Sequence, residues 1–291
     1  MPESSRMPKQ LTIISGKGGT GKTTFTAAFA QLTENKVMAD CDVDAADLHL
    51  VLAPEIQKTA PFYGSRTPVV DLERCTRCGI CTQVCRFDAI HGGVLNLFAC
   101  DHCALCMHAC PENIITMEES HSGDWFISNT RFGPMVHARL GIAEENSGKL
   151  VTVVRKEALN LAKEQGAEWV IIDGPPGIGC PVTAALTGVT RVLIITEPTL
   201  SGIHDMERVL SLTTHFNIPA QVCVNKYDIH PDNTRRIESY CRQKGIEIVG
   251  KIPFDRGVIE AMVSGKTVME ADVPGVAPAV RQVWERVIGD W

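Results

Sequence analysis

Residues 11–24 read Leu-Thr-Ile-Ile-Ser-Gly-Lys-Gly-Gly-Thr-Gly-Lys-Thr-Thr, and this stretch decides the fold. Its first five residues, Leu11 to Ser15, are mostly apolar and predict a buried strand, while the residues after Thr23 continue as a predicted helix. The glycines between them allow backbone N–H groups to turn inward around phosphate oxygens, and the helix N-terminus adds positive potential. The stretch therefore predicts a phosphate-binding loop between a strand and a helix.

Single side chains of this loop have predicted roles toward a nucleoside triphosphate. Lys22 is expected to reach the β and γ phosphates, and the hydroxyl of Thr23 is expected to bind Mg²⁺. The predicted nucleotide contacts in the loop are Gly16, Lys17, Gly18, Gly19, Thr20, Gly21, Lys22, Thr23 and Thr24.

Strand and helix signals alternate along most of the remaining chain. Apolar strands are predicted at residues 37–39, 169–172, 191–196, 221–224 and 247–251, and helices at 23–32, 156–165, 206–216, 234–244 and the C-terminus. Short apolar strands separated by helices imply a parallel sheet that is covered on both faces. The predicted class is therefore α/β, with a mainly parallel, doubly wound sheet.

The composition limits the class of protein. With 291 residues and 44% hydrophobic content, the chain can bury one large core and one small domain. A net charge of −6 argues against a nucleic-acid partner, which would require a basic face. The polar N-terminus lacks the apolar core of a signal peptide, and no apolar run approaches the roughly 20 residues of a membrane span. We therefore expect a reducing cytoplasm and no membrane partner.

Eight cysteines form two runs with nearly identical spacing. The runs are Cys75-x-x-Cys78-x-x-Cys81-x-x-x-Cys85 and Cys100-x-x-Cys103-x-x-Cys106-x-x-x-Cys110-Pro111. A C-x-x-C-x-x-C loop wraps three thiolates around one iron-sulfur cube, and the distant fourth cysteine reaches the other cube. The spacing therefore predicts two 4Fe-4S clusters with crossed ligands. One cluster would use Cys75, Cys78, Cys81 and Cys110, and the other Cys100, Cys103, Cys106 and Cys85.

Structural zinc and disulfides fit this cysteine pattern less well. Zinc would use paired C-x-x-C units with four ligands, and disulfides need an oxidising compartment. Neither predicts a doubled three-plus-one pattern. Arg86 follows Cys85 where proline follows the matching cysteine, which changes the turn but not the ligand. His102 and His108 are expected to lie near the clusters without binding iron, because eight cysteines already supply both cubes.

The cysteine runs interrupt the alternation of strands and helices. The rhythm stops between Ala53 and Ser120, and prolines precede the first run. We interpret residues 65–119 as a small ferredoxin-like domain inserted into a nucleotide-binding domain made of residues 1–64 and 120–291. Two short cluster-binding loops bury little core, so bound clusters would hold such an insert together.

The phosphate loop has a second lysine, Lys17, directly after its first glycine. In this respect it resembles the deviant loop of the MinD and ParA group of ATPases, which also includes the nitrogenase iron protein and the Mrp-type cluster carriers. The resemblance implies an ATPase that closes as a dimer, in which Lys17 crosses the interface and contacts the partner's nucleotide.

Two acidic segments extend the resemblance. Asp40-Cys-Asp-Val-Asp44 follows the second strand as the family's first switch does, and Asp42 is similar to the carboxylate that orients the attacking water. The alternative is that Asp44 or Asp47 merely caps the next helix. Asp173, at the end of an apolar strand, resembles the carboxylate that holds magnesium through water, and Gly177 could follow the γ phosphate.

Two later segments resemble the family's base-binding loops. Asn225-Lys226 ends a predicted strand, and Pro253 and Asp255 lie in a loop similar to the one that closes over adenine. The order Asn-Lys-x-Asp also resembles a guanine reader, so GTP stays open beside ATP.

The whole chain is most similar to the MinD-superfamily subgroup with an inserted ferredoxin domain. The stretches 133–138 and 144–149 also resemble that subgroup, and His137 and Lys149 lie either at a partner face or on ordinary solvated surface. Relatives use an apolar C-terminal tail on membranes. Here the stripe is expected to pack on the sheet instead. It consists of Val280, Val283, Trp284, Val287 and Ile288.

Four cysteines lie outside the two runs, and they are expected to be free thiols. They are Cys41, Cys180, Cys223 and Cys241. Cys180 follows Asp173 much as a bridging cysteine follows the second switch of the nitrogenase iron protein. A bridged cube would need two thiolates from each subunit, and Cys180 has no matching second cysteine. We expect Cys180 to be a buried thiol packed at the switch.

These observations predict an ATP-hydrolysing switch, either a homodimer or a heterodimer with a paralogous ATPase. Two 4Fe-4S clusters, ATP and Mg²⁺ are the expected cofactors, and nucleotide state would be coupled to electron delivery to a redox or metalloprotein partner. The alternative is an assembly or carrier ATPase for iron-sulfur clusters or metallocofactors. A positioning ATPase is disfavoured because it would not require clusters.

Overall fold

The computed structural model describes residues 7–141, 147–289 and 291. The stretch Glu144–Asn146, which the sequence associates with the ferredoxin-bearing subgroup, lies outside these described residues. The strands are β1 (Lys9–Ser15), β2 (Lys36–Asp40), β3 (Glu55–Val70), β4 (Ile90–His91), β5 (Val94–Leu95), β6 (Ile115–Thr130), β7 (Gly133–Leu140), β8 (Trp169–Pro176), β9 (Arg191–Thr196), β10 (Ala220–Asn225) and β11 (Glu247–Ile252). The helices are α1 (Lys22–Leu32), α2 (Leu48–Leu52), α3 (Ile80–Val84), α4 (Leu105–Ala109), α5 (Ser147–Gln165), α6 (Cys180–Leu186), α7 (Leu200–His215), α8 (Pro231–Lys244), α9 (Gly257–Val263) and α10 (Val276–Gly289).

The described chain divides into two compact units. The first consists of Met1–Thr59, Trp125–Arg139 and Ser147–Trp291, and the second of Ala60–Asp124 and Leu140–Asn146. The divisions after Thr59 and after Asp124 fall inside the long strands β3 and β6, so each of these strands contributes residues to both units. The second unit therefore extends beyond the interval 65–119 on both sides.

A nine-stranded sheet has the order β11-β10-β9-β1-β8-β2-β7-β6-β3. Every neighbouring pair from β11 to β7 is parallel, so the carboxyl ends of β1, β2, β8, β9 and β10 lie along the same edge. Residues that follow these strands are thereby brought together, although they are far apart in the sequence. The predicted α/β class with a mainly parallel sheet is confirmed.

The central strands of the first unit are apolar on both faces because both faces are covered. β1 and β8 are almost wholly buried, as expected for central strands with helices on both sides. α10 packs on this core, with its Trp284 ring centroid 4.8 Å from that of Phe29. Val283 of the same helix lies so close to Gly250 that a Cβ there would be 2.4 Å from Val283 Cγ2. The C-terminal stripe therefore packs on the sheet, as predicted.

No helix in the part of the chain that the structure describes is both long and apolar enough to cross a membrane.

Candidate nucleotide site and cysteine-lined cavity

The phosphate loop connects β1 to α1 and depends on glycine at particular positions. Gly19 and Gly21 have φ angles of 78° and 98°, which only glycine adopts at low cost. Gly16 packs directly on α7, where a Cβ would lie 2.1 Å from Cβ of Asp205. The predicted loop therefore has the left-handed turns and close approach that its glycines imply, with Thr23 and Thr24 in the first turn of α1.

Lys22 lies at the start of α1 and faces carboxylates from two strand ends. Its Nζ donates to Oδ2 of Asp42 at 3.1 Å, and both side chains are largely buried. Burial lowers the pKa of Lys22, but the charges of Asp173 and Asp42 outweigh it and raise the pKa overall. The lysine therefore stays charged in a site from which most water is excluded.

Asp173 on β8 is held by two threonine hydroxyls of α1. Thr23 Oγ1 donates to Oδ2 at 2.9 Å, and Thr26 Oγ1 donates to Oδ1 at 2.8 Å. Burial is the largest effect on the carboxyl and raises its pKa, although Lys22 opposes this. The structure thus joins the two residues that the sequence assigned to magnesium, Thr23 and Asp173.

Asp40, at the end of β2, is a site residue that the sequence interpretation did not select. Its side chain is buried, and Oδ1 accepts a hydrogen bond from the backbone N–H of Asp42 at 3.2 Å. Oδ2 has no hydrogen-bond partner among the described residues. Burial and the neighbouring Asp173 raise the pKa of Asp40 well above its ordinary value. This buried carboxylate oxygen is therefore an acceptor that is available to a group bound in the site.

The segment that resembles the second switch consists of the end of β8 and Gly177, the residue directly after it. Gly177 has a φ of 91°, and its N–H donates to the carbonyl of Ser15 at 2.9 Å. Gly174 packs against β1, where a Cβ would lie 2.5 Å from Cγ2 of Ile14. The glycines therefore serve the close approach of this segment to β1, beside the phosphate loop.

The predicted base-binding residues contact the phosphate loop as well. Asn225 Nδ2 donates to the carbonyl of Thr20 at 2.8 Å, and Lys226 Nζ donates to that of Gly19 at 3.3 Å. Lys226 has a left-handed φ of 54°. The end of β10 is thereby attached to the loop that holds the phosphates.

The second predicted base loop is held by two acidic side chains, Asp255 of the loop itself and Asp228 from the segment after β10. Asp228 Oδ1 accepts from the N–H of Phe254 at 2.8 Å, and Asp255 Oδ1 accepts from the N–H of Gly257 at 2.7 Å. Pro253 lies between these contacts, directly after β11. The loop therefore lies beside the Asn225 segment, on the same edge of the sheet.

Lys17 contacts residues of its own chain that the sequence interpretation did not include. Its Nζ lies 2.5 Å from Oε1 of Glu197, which follows β9. The other oxygen of Glu197 accepts from Lys226 Nζ at 3.2 Å. Burial raises the pKa of Glu197, but the two ammonium groups outweigh it and hold the pKa below its ordinary value. The position of Glu197 directly after a parallel strand was the available sequence signal.

In the second unit, four of the predicted cluster ligands line one cavity. They are Cys75, Cys78, Cys81 and Cys110. Gly93 borders the same space, and a Cβ at this position would lie 3.3 Å from Sγ of Cys75. No three His, Cys, Asp or Glu side chains among the described residues are arranged to hold a single metal ion. The four thiols surround a space instead of converging on one point.

Of the other four cysteines, Cys100, Cys103 and Cys106 are near neighbours. The pKa of Cys106 is raised, first by burial and then by the proximity of Cys100 and Cys103. Cys85 belongs to the same hydrophobic cluster as Cys106, and its Sγ accepts the N–H of Ala89 at 3.3 Å.

The two cysteine runs have the same backbone conformation. α3 and α4 begin 25 residues apart, and left-handed residues recur at the same offset. These pairs are Arg77 and His102, Gly79 and Ala104, and Asp88 and Asn113. Three of these residues are neither glycine nor asparagine nor aspartate, so the conformation is imposed by the loop and not by local preference. The sequence repeat is therefore a structural repeat.

Two predictions about single residues are wrong. Cys180 is exposed and is not a buried thiol. It is the first residue of α6, and the buried residues of this helix begin only at Val182. His137 is mostly covered inside the first unit, stacked on Phe126 at 5.0 Å and bonded to Ser128 Oγ at 2.8 Å, so it is neither free surface nor an open partner face. Lys149 is exposed.

His102 has a hydrogen-bonding partner in its own unit, and the three remaining cysteines outside the two runs are free thiols, as predicted for these thiols. His102 Nδ1 is 3.2 Å from the carbonyl of Arg66 and is engaged there. Cys41, Cys223 and Cys241 are buried thiols.

Comparisons with known proteins agree with this geometry. Residues 11–268 match the CobQ/CobB/MinD/ParA nucleotide binding domain. The chain is 30% identical to the uncharacterised protein MJ0578 of Methanocaldococcus jannaschii, over 96% of both chains. The fold is similar to that of the cell division ATPase MinD of Pyrococcus furiosus, with a TM-score of 0.60, 19% identity and coverage of 98% of this chain and 100% of the other. It is also similar to MinD of Pyrococcus horikoshii in complex with Mg-ADP, with a TM-score of 0.57, 18% identity and coverage of 97% and 96%.

A parallel sheet with a deviant phosphate loop and carboxylates at neighbouring strand ends defines the class as a P-loop nucleotide-binding protein. The chain belongs to the CobQ/CobB/MinD/ParA family, and it is an ATPase of the MinD/ParA type.

Proposed function

We propose that this ATPase is a dimeric switch that carries two 4Fe-4S clusters in its second unit and couples ATP hydrolysis to electron transfer. The observation that carries the proposal is the cavity lined by Cys75, Cys78, Cys81 and Cys110. Three of these cysteines come from one run and the fourth from the other, which is the crossed set that the spacing predicts.

The cavity fits the group. Four thiols line one space, with a glycine where a side chain would intrude, and they provide the ligands that a cube needs. The repeat of backbone conformation supports the matching set for the second cluster, which would consist of Cys100, Cys103, Cys106 and Cys85. N–H groups that donate to Cys85 Sγ and, at 3.4 Å, to Cys100 Sγ would stabilise thiolate ligands. Bound clusters would supply one-electron redox chemistry.

Residues at the nucleotide site fit ATP with Mg²⁺. Lys22 would bind the β and γ phosphates, and Thr23 would offer its hydroxyl to the metal. Asp173 would hold the metal through water, and the unpartnered Oδ2 of Asp40 supplies a further acceptor. The fold of the Mg-ADP complex of Pyrococcus horikoshii MinD supports this assignment.

Hydrolysis would depend on Asp42 and Lys17, which each form an ion pair within the chain that nucleotide binding would have to replace. Asp42 would orient the attacking water once Lys22 turns from its carboxylate to the phosphates. Lys17 would contact the nucleotide bound to the second chain, which is either another copy or a paralogous ATPase. ATP would therefore favour the closed dimer, and hydrolysis would reopen it.

Anaerobic purification followed by iron analysis and a redox titration tests the proposal. We expect about eight irons per chain and two clusters that each cycle by one electron. Four or fewer irons, or tetrahedral zinc, would overturn it. If the clusters instead move to an apo-protein during ATP turnover, the chain is an assembly ATPase and the electron-transfer function is wrong.

A further inference from the structure

The ammonium group of Lys17 is fully engaged inside its own chain. Besides the 2.5 Å contact with Glu197, it lies 3.3 Å from Thr199 Oγ1 and 3.2 Å from Ser201 Oγ. An ammonium has three N–H donors, and these three acceptors satisfy all of them. All three acceptors lie between the end of β9 and the first turn of α7. Lys17 therefore has to leave a complete set of partners before it contacts anything else.

Glu197 differs from the other two acceptors because it binds a second lysine. Lys226 Nζ donates to Oε2 of Glu197 at 3.2 Å and to the carbonyl of Gly19 at 3.3 Å. The Glu197 side chain is 11% exposed, so leaving it without a counter-charge would be costly. Because Lys226 stays in place, Glu197 remains paired when Lys17 departs. The arrangement thus makes the release of Lys17 easier than the opening of an isolated buried ion pair.

Glu197 also connects two parts of the nucleotide site. Lys17 belongs to the phosphate loop, while Lys226 and Asn225 end β10 and contact the carbonyls of Gly19 and Thr20. A bound nucleotide would place its negative charge beside the loop that both groups contact.

We propose that Glu197 is a positioning residue that holds Lys17 in the nucleotide-free chain and releases it when ATP brings two chains together. This inference rests on the proposed role of Lys17 across the dimer interface. Glu197 would accordingly set the ATP concentration at which the dimer forms, while Lys226 keeps the carboxylate paired in both states.

The test measures dimer formation by analytical ultracentrifugation against the concentration of AMPPNP with Mg²⁺. Glu197→Gln removes the charge and keeps the shape, so the concentration for half-maximal dimer should fall roughly 1.5- to fivefold, the range of one ion pair. Ser201→Ala removes one acceptor of Lys17 without touching Lys226, and it should shift the midpoint in the same direction by less. In steady-state assays, Glu197→Gln should lower KM for ATP and leave kcat nearly unchanged.

Matched variants show whether the effect acts through Lys17. Glu238→Gln removes another carboxylate that pairs with a lysine, Lys251 at 2.8 Å, and it should leave the midpoint unchanged. Lys17→Ala alone should raise the midpoint, and adding Glu197→Gln to it should not lower the midpoint again. An unchanged or higher midpoint in Glu197→Gln, or a shift that persists without Lys17, would overturn the inference.

The two proposals fail in different ways. If Lys17→Ala dimerises and hydrolyses ATP like the wild type, the role of Lys17 across the interface is wrong, and the inference about Glu197 falls with it. If Lys17→Ala loses hydrolysis while Glu197→Gln changes nothing, the proposed function stands and Glu197 only stabilises the loop.

Discussion

Thr26 Oγ1 donates a 2.8 Å hydrogen bond to Asp173 Oδ1, and this bond connects the second turn of α1 to the end of β8. Thr26 is fully buried, and the other oxygen of Asp173 is bound to Thr23. If Mg²⁺ takes the hydroxyl of Thr23, as we propose, the bond from Thr26 would remain and hold the carboxylate in its orientation. Thr26 would therefore support the proposed magnesium site from outside the phosphate-binding motif.

Thr26→Val should destabilise the chain, because it leaves a buried carboxylate oxygen without its donor. We expect a loss of about 1–3 kcal/mol in the free energy of unfolding, measured by urea denaturation. Thr26→Ser keeps the hydroxyl and should recover most of the loss. Equal losses in both variants would show that the methyl group, and not the hydrogen bond, is responsible.

Lys22→Ala and Lys17→Ala should affect different steps. Lys22 is aimed into the site, so its removal should weaken ATP binding at least tenfold in isothermal titration. Lys17 is bound to Glu197 on its own chain, so its removal should leave ATP binding to one chain within about twofold and lose most hydrolysis. Loss of binding in both variants would contradict the proposed division of roles.

Asp42→Ala should trap the closed dimer, because the site would bind ATP without orienting water for attack. Gel filtration with ATP and Mg²⁺ should show a dimer for the variant and a mixture for the wild type. A variant that stays monomeric with ATP demonstrably bound, also when a paralogous ATPase is supplied, would rule out the proposed dimer switch.

Replacing the fourth cysteine of either run should disturb the cluster of the other run. Cys110→Ser should alter the cluster held by Cys75, Cys78 and Cys81, whose cavity it lines. Cys85→Ser is the matched variant and should alter the cluster of the second run. Electron paramagnetic resonance of the reduced proteins distinguishes the two clusters. Signal loss confined to the run that carries the mutation would mean that the ligation is not crossed.

His137 should make stability depend on pH. Burial, together with the proximity of His49, lowers the pKa of His137 from 6.5 to about 4. The unfolded chain therefore binds a proton that the folded chain excludes, so this contribution is complete above pH 6.5 and is lost as pH falls toward 4. His137→Phe should flatten that part of the stability profile in urea denaturation at several pH values. An NMR titration that gives His137 a pKa above 6 would contradict the prediction.

The sequence predicted the parts of the site that local motifs encode. The loop around Lys22 and the acidic ends of the strands at Asp42 and Asp173 are recognisable because strand, turn and helix are adjacent in the chain. Glu197 and Thr26 were missed because their roles arise from partners far away in the sequence. Only the parallel register of the strands brings each of the two residues close to its partners.

The long strands β3 and β6 were missed for a different reason. β3 contains Pro61, Gly64 and Pro68, which favour breaks in a strand, and much of its surface is exposed. Neither strand shows a clean apolar alternation. Their strand conformation comes from pairing within the sheet, which a propensity read one residue at a time does not detect.

The close approach of Gly16 to Asp205 has a mechanical consequence. Because only a hydrogen atom separates the start of the phosphate loop from α7, no layer of side chains is available there to absorb a displacement. A movement of the loop when phosphate enters or leaves is therefore passed directly to α7 at Asp205, and the helix continues from there for about 15 Å, by the helical rise, to His215. The first glycine of the motif thus couples the chemistry at the loop to the opposite end of α7.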